Sequence, residues 1–414
     1  LGQLPEIEQV HVAEIEPAIL TVAARCAPVN ERALENPKLG VFRGDARELL
    51  AVSSERYDLI ISEPSNPYRS GVASLYTREF YADVLKRLAP HGLFVQWVQA
   101  YDVDPSTLRS VFATLGSVFP YVETWHGMKQ DLLLVGSLER PVHDVEALRA
   151  RLASQPFDRA LRSAWMTDGV EGFLGHCVAN VAFTRAAVQS GAALNTDDAS
   201  LVEFGFARGL RSDARFTTDS LFTSARARGQ SRPELRGGSV DWPRVDYESE
   251  AFAMVTGVSI DSERLEPHYR DRMTVLNKWK AGDFASALML WKYIGIRAGG
   301  QMQTTTIERM ALAEIVAYAG DNSTESWIGS LTTDQPTMAI AMRAVWLTQH
   351  GRRTEGLEMI VRALERYRSD PWPLPGPMAR AITLLQTVTP DEMALVPHWL
   401  EALDQPFAVY VNEP

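Results

Sequence analysis

A short apolar run that breaks abruptly into an acid and two prolines restricts the fold of this chain more than any other stretch. Tyr57-Asp58-Leu59-Ile60-Ile61-Ser62 has the β-branched, largely apolar character of a buried strand in a parallel sheet. Glu63, Pro64, Asn66, Pro67 and Gly71 then predict an irregular loop at the carboxyl end of that strand, the edge at which open α/β sheets bind ligands. A helix is expected from Thr77, whose hydroxyl can cap it, with Glu79 and Asp83 suiting its positive end. Glu63 is therefore either a group placed for chemistry on a proline-stiffened loop or a solvated loop acid.

Upstream, Val10-His11-Val12-Ala13-Glu14 predicts another buried strand, followed by a helix that Pro17 can open. Glu14 at the strand tip can accept hydrogen bonds from both hydroxyls of a ribose, or it caps that helix; Glu16 reads as a helix-start charge. Leu39 to Phe42 predicts a strand running into Arg43-Gly44-Asp45-Ala46. Gly44 permits close backbone approach there, and Asp45 either accepts a bond from an exocyclic amine or caps the helix through Leu49 and Leu50.

Downstream, Leu93 to Val98 predicts a strand introduced by a Pro90-His91-Gly92 turn. Gln96, polar on a buried-type strand, either contacts substrate or satisfies backbone groups. A helix over Pro105 to Leu115 leads to a hairpin, Tyr121 to Trp125 and Asp131 to Gly136, turning at His126-Gly127. Phe173 to about Ser190 reads as one helix. Asn195-Thr196-Asp197-Asp198 then reads as a polar loop near the cleft, whose acids either attract a cation or form a turn and cap before Leu201.

The formal net charge of −11, with no basic stripe, excludes a general nucleic-acid binder. Two cysteines, Cys26 and Cys177, show no metal spacing and read as reduced thiols of a reducing compartment, so no metal is expected. No apolar run reaches bilayer length and no signal peptide is present in the sequence.

Glu14-Ile15-Glu16, Gly44-Asp45-Ala46, the Tyr57 strand with Glu63-Pro64-Ser65-Asn66-Pro67, Leu75-Tyr76-Thr77-Arg78-Glu79-Phe80-Tyr81 and Pro90-His91-Gly92-Leu93 together resemble the spermidine synthase (polyamine aminopropyltransferase) family. Within it, the nearest resemblance is to bacterial proteins in which a synthase-like domain follows a membrane-spanning region; Asn195-Thr196-Asp197-Asp198 with Leu201-Val202-Glu203-Phe204 matches the end of that domain. The resemblance implies a Rossmann-like sheet of the type used by S-adenosylmethionine-dependent transferases. It also implies a strand and glycine-rich loop ahead of Val10, so the chain reads either as N-terminally truncated or as a fold that begins here.

By the same resemblance, decarboxylated S-adenosylmethionine is the co-substrate and a di- or polyamine the acceptor. Glu14 would hold the ribose, Gly44 and Asp45 the adenine side, Glu63 would be the catalytic base, and Asn66 and Gln96 would contact the amine. The chemistry asks for a carboxylate that attracts an ammonium and takes its proton. The sequence departs from the family at Glu63, one methylene longer than the usual Asp, and at Asn66, where the family has a second acid. An Asx turn ahead of Pro67 is the other reading of Asn66. Methyl transfer from S-adenosylmethionine and a lapsed, ligand-binding scaffold are the alternative functions. The expected location is cytoplasmic, either free or as the cytoplasmic part of an inner-membrane protein.

The resulting plan has a synthase-like α/β domain over 1–140, an extension over 141–210, a linker over 211–250, where Ser224 to Pro233 is polar and basic, and an α-helical part over 251–414. In the last part Gly282, Gly320 and Gly351 are about 38 and 31 residues apart, bracketing the roughly 34-residue period of tetratricopeptide repeats. That loose resemblance implies helical hairpins and a surface for a protein partner.

Overall fold

The computed structural model describes all residues except 66, 68, 70, 102, 129, 210–217, 259–260, 300–301, 373, 387–388 and 405–414. Among the described residues the strands are β1 (Val10–Glu14), β2 (Leu39–Arg43), β3 (Tyr57–Ser62), β4 (Leu88–Gln99), β5 (Tyr121–His126), β6 (Asp131–Ser137), β7 (His143–Asp144), β8 (Cys177–Ala179) and β9 (Leu235–Arg236). β1 and β2 pair in parallel, from Val10 opposite Leu39 to Glu14 opposite Arg43, as a sheet of their own. The larger sheet has the order β3-β4-β6-β5-β8, parallel between β3 and β4 and antiparallel elsewhere; β7 and β9 form a short parallel pair.

Helices lie between these strands: α1 (Pro17–Arg25), α2 (Ala46–Val52), α3 (Arg78–Arg87), α4 (Pro105–Gly116), α5 (Val145–Leu152), α6 (Phe157–Ala164), α7 (Gly169–Leu174), α8 (Val181–Gln189), α9 (Leu201–Gly209), α10 (Thr218–Ala227) and α11 (Trp242–Thr256). Their starts follow side-chain chemistry. Thr77 Oγ1 accepts the Phe80 N–H at 3.3 Å to cap α3, and Asp104 accepts from Ser106 and Thr107 to cap α4, whose first residue is Pro105. Tyr76, Tyr81, Val84, Phe94, Val98, Leu132 and Leu134 fill the core of the larger sheet, with Phe94 stacked on Phe119.

Beyond α11 the chain is helical: α12 (Pro267–Lys280), α13 (Phe284–Arg297), α14 (Thr306–Ala319), α15 (Thr324–Leu331), α16 (Pro336–Gln349), α17 (Arg353–Tyr367), α18 (Pro375–Ile382) and α19 (Val396–Asp404). Gly282, Gly320 and Gly351 all have positive φ and sit in the turns α12/α13, α14/α15 and α16/α17, where the chain leaves a helix through the left-handed region. Three helical hairpins result. The mixed α/β sheet is Rossmann-like, of the kind found in S-adenosylmethionine-dependent transferases, and is followed by this largely helical region. None of the helices, among the described residues, is long and apolar enough to cross a membrane.

Several expectations change in detail. β4 begins at Leu88 rather than Leu93; the ladder slips between Tyr57 and Leu59, so Pro90-His91-Gly92 forms an irregularity inside the strand. The helix expected from Phe173 to about Ser190 is split by β8, which pairs with β5, and α8 restarts because Asn180 accepts the Ala182 N–H. Within the stretch read as a linker, Leu221, Phe222 and Ala225 give α10 one apolar face that buries, and α11 begins at Trp242. Both cysteines are free thiols, Cys177 buried and Cys26 partly so.

Candidate active site

The candidate residues gather at the carboxyl ends of the parallel strands, in two groups. In the first, the Gly44 N–H donates to the Glu14 carbonyl at 3.0 Å, bringing the tips of β1 and β2 together. The Glu14 carboxylate accepts the Glu16 N–H at 2.8 Å, and Glu16 accepts the Ala18 N–H at 2.9 Å, so Glu16 rather than Glu14 caps α1. Asp45 accepts the Arg47 N–H at 2.8 Å and caps α2. A Cβ on Gly44 would lie 2.8 Å from the ring of the exposed Phe42, which would have to shift to admit it.

The second group stands on the larger sheet. Ser62, buried, lies opposite Gln96 in the β3–β4 ladder, and Glu63 follows it into solvent. Gln96 is fully buried. Its Nε2 donates to the Trp97 carbonyl at 3.0 Å and, weakly, to the Ser62 carbonyl at 3.4 Å, while its Oε1 has no hydrogen-bond partner among the described residues. The Tyr76 hydroxyl donates to the same Trp97 carbonyl at 3.1 Å, and burial raises its pKa well beyond the usual tyrosine value. Asn66 lies outside the described residues. Glu63 is thus exposed at the tip of β3, whereas the Gln96 amide is buried within the sheet.

Sequence reasoning missed Arg47. Both of its terminal nitrogens meet Asp197, at 2.9 and 2.7 Å, joining α2 to the 195–198 loop. This pairing raises the Arg47 pKa and lowers that of Asp197, in each case chiefly through the hydrogen bonds between them. One signal was present: a cation in the first turn of a helix faces the positive end of the dipole and calls for an anion nearby. Among the described residues no group of three or more His, Cys, Asp or Glu is placed to hold a metal.

A spermine/spermidine synthase domain model matches residues 1–126, the stretch that contains both groups. The N-terminal region is spermidine synthase-like. Among the relatives, the thermospermine synthase ACAULIS5 of Arabidopsis thaliana is 30% identical over 123 residues, 29% of this chain and 36% of that protein. The polyamine aminopropyltransferase of Clostridium beijerinckii is 24% identical over 127 residues, covering 30% of this chain and 44% of its own length. That of Alkaliphilus metalliredigens is 25% identical over 161 residues, 37% and 56% respectively. The match to each of these relatives thus spans between 36% and 56% of its length. In the spermidine synthase-like region Glu14 closes β1 and Gln96 lies in β4, while Gly44 and Asp45 follow β2 and Glu63 follows β3.

Proposed function

We propose that this protein transfers an aminopropyl group from decarboxylated S-adenosylmethionine to a di- or polyamine. The observation that carries this reading is the spermine/spermidine synthase match over residues 1–126, which includes the Glu63 loop at the tip of β3. Glu14, Gly44 and Asp45 hold the adenosyl end of the donor, and Asn66 and Gln96 contact the acceptor. Alkylamines are protonated near neutrality, with pKa values about 10, so the nucleophile must first lose a proton. Glu63 attracts the ammonium and accepts that proton. The freed nitrogen lone pair then attacks the aminopropyl carbon bonded to the sulfonium. As the N–C bond forms, the C–S bond breaks, its electron pair stays on sulfur, and methylthioadenosine leaves.

The test compares decarboxylated and ordinary S-adenosylmethionine across a panel of amines, with Glu63→Gln as the control. Methylthioadenosine released from the decarboxylated donor and lost in Glu63→Gln is the expected result. S-adenosylhomocysteine from the ordinary donor would replace the reading with methyl transfer. Adenosyl-ligand binding with neither product would leave a scaffold.

A further inference from the structure

The turn that leads into α7 is tied to the hairpin array by a charge cluster far in sequence from Glu63. Asp168 stands directly before α7, yet its carboxylate caps no N–H of that helix. It reaches two other helices instead. Oδ1 accepts from Arg244 Nη2 of α11 at 2.7 Å; Oδ2 accepts from the Thr306 hydroxyl at 2.9 Å and from Arg309 Nη2 at 3.0 Å, both on α14.

Glu248, one turn after Arg244 on α11, competes for the same guanidinium. Its side chain is buried. Oε2 accepts from the Thr167 hydroxyl at 3.1 Å, while Oε1 lies 3.4 Å from both Arg244 Nε and Nη2, at the far limit of a hydrogen bond. The other charged and titratable groups around it already have partners. Glu308 on α14 is held by Arg272 of α12 and by the Tyr247 hydroxyl; Glu171 on α7 faces Arg149 at 3.6 Å; Tyr269 on α12 stacks on Tyr247 with ring centroids 4.7 Å apart. None of these gives Glu248 a cation of its own among the described residues, and Arg309 is engaged by Asp168. Two carboxylates thus share Arg244, and Asp168 has the shorter bond. Burial, followed by repulsion from Asp168, accordingly raises the Glu248 pKa to about 8.

We propose that this cluster is a proton-operated joint between the 165–169 turn and the hairpin array. While Glu248 carries its proton, Arg244 stays with Asp168, and α11 and α14 hold the turn together. When Glu248 ionises, its proton passes to solvent and the new buried anion draws Arg244 away from Asp168, since a buried charge without a partner is strongly unfavourable. Asp168 is left with Arg309 and Thr306 alone, and the turn loosens with α7 behind it.

The test follows amide hydrogen exchange in the full chain from about pH 6.5 to about pH 9, on either side of the Glu248 transition, corrected for the chemical exchange rate. Wild-type protection over residues 165–175 falls by about tenfold or more across this range, while that of β4 and β6 holds within about twofold. Glu248→Gln, which keeps the shape of the protonated acid and cannot ionise, retains protection at both ends of the range. Asp168→Asn, with a weaker hold on both arginines, is less protected at both ends. The wild-type series and Glu248→Gln decide the matter even where Asp168→Asn does not fold. Protection over 165–175 that is independent of pH in the wild type would overturn the joint, and so would a loss in Glu248→Gln equal to that of the wild type. Because protection and not turnover is read, the result does not depend on which reaction the candidate active site performs.

Discussion

The first fifty residues and the hairpin array differ in how much of their apolar sequence the rest of residues 1–414 covers. β1, α1 and β2 bury no residue, and Val12, Ile15, Ile19, Val22 and Val41 are all exposed. α14 alone buries eleven of its fourteen residues, including the carboxylates Glu308 and Glu314. Similar runs of Val, Ile and Ala are thus uncovered by the rest of this sequence in one region and packed in the other. In the array even the charges are internal. Glu308 is held by Arg272 and the Tyr247 hydroxyl, and Glu314 by the Trp279 indole at 2.7 Å and by two bonds from Arg380. Within this sequence residues 10–52 meet the larger sheet through His11, Arg47 and Leu50, whereas the array packs continuously.

That contrast can be broken most forcefully at Arg272. Arg272→Met leaves Glu308 buried beside Tyr247 without its cation, and the expected loss is about 3–5 kcal/mol of unfolding free energy in urea titrations. Met342→Ala, in the fully buried face of α16, should cost about 2–5 kcal/mol in the same assay.

A pH series sharpens the comparison further. Glu248, on α11, is buried, and burial followed by repulsion from Asp168 raises its pKa to about 8. The unfolded chain releases this proton near the ordinary value of 4.5 while the folded chain keeps it to about 8. Stability contributed at this site therefore falls as pH rises through that window and levels off above it. Glu248→Gln should flatten the slope, measured as the difference between wild-type and variant denaturation midpoints from pH 5 to 9, about the window set by these values. The smallest effect is expected at Ile19→Ala on exposed α1, within about 0.5 kcal/mol. A loss at Ile19 as large as that at Met342 would erase the distinction between the two regions.

Legibility in the sequence followed how local each signal was. The Tyr57 strand, the Thr77 cap, the β5/β6 hairpin and the three turn glycines depend on neighbours within a few residues, and their residues announce them. β8 is three residues long and exists because β5 offers it an edge, a fact that the helix-like run around it does not contain. The Arg47–Asp197 pair spans 150 positions. Glu308 and Glu314 look in sequence like solvated helix charges; their burial goes with arginines and aromatic hydroxyl or indole groups on other helices. Within the candidate site the strand tips were readable. The local duty of Asp45 as a cap was among the stated alternatives, whereas the cap of α1 was offered to Glu14 and falls to Glu16, read as a helix-start charge.

α11 has a practical bearing on where a gene encoding this protein can be divided. Its Val245 packs with Trp125, Val145 and Cys177, while Tyr247, Ala251, Phe252 and Met254 belong to the core of the hairpin array. Phe252 lies against the rings of both His126 and His176, at 5.2 and 4.3 Å. A cut ahead of Trp242 would strip the β5–β8 edge of its aromatic cover, and a cut behind Thr256 would strip the array of its first wall. One helix is thus common property of both halves, and a soluble fragment of either one has to carry it.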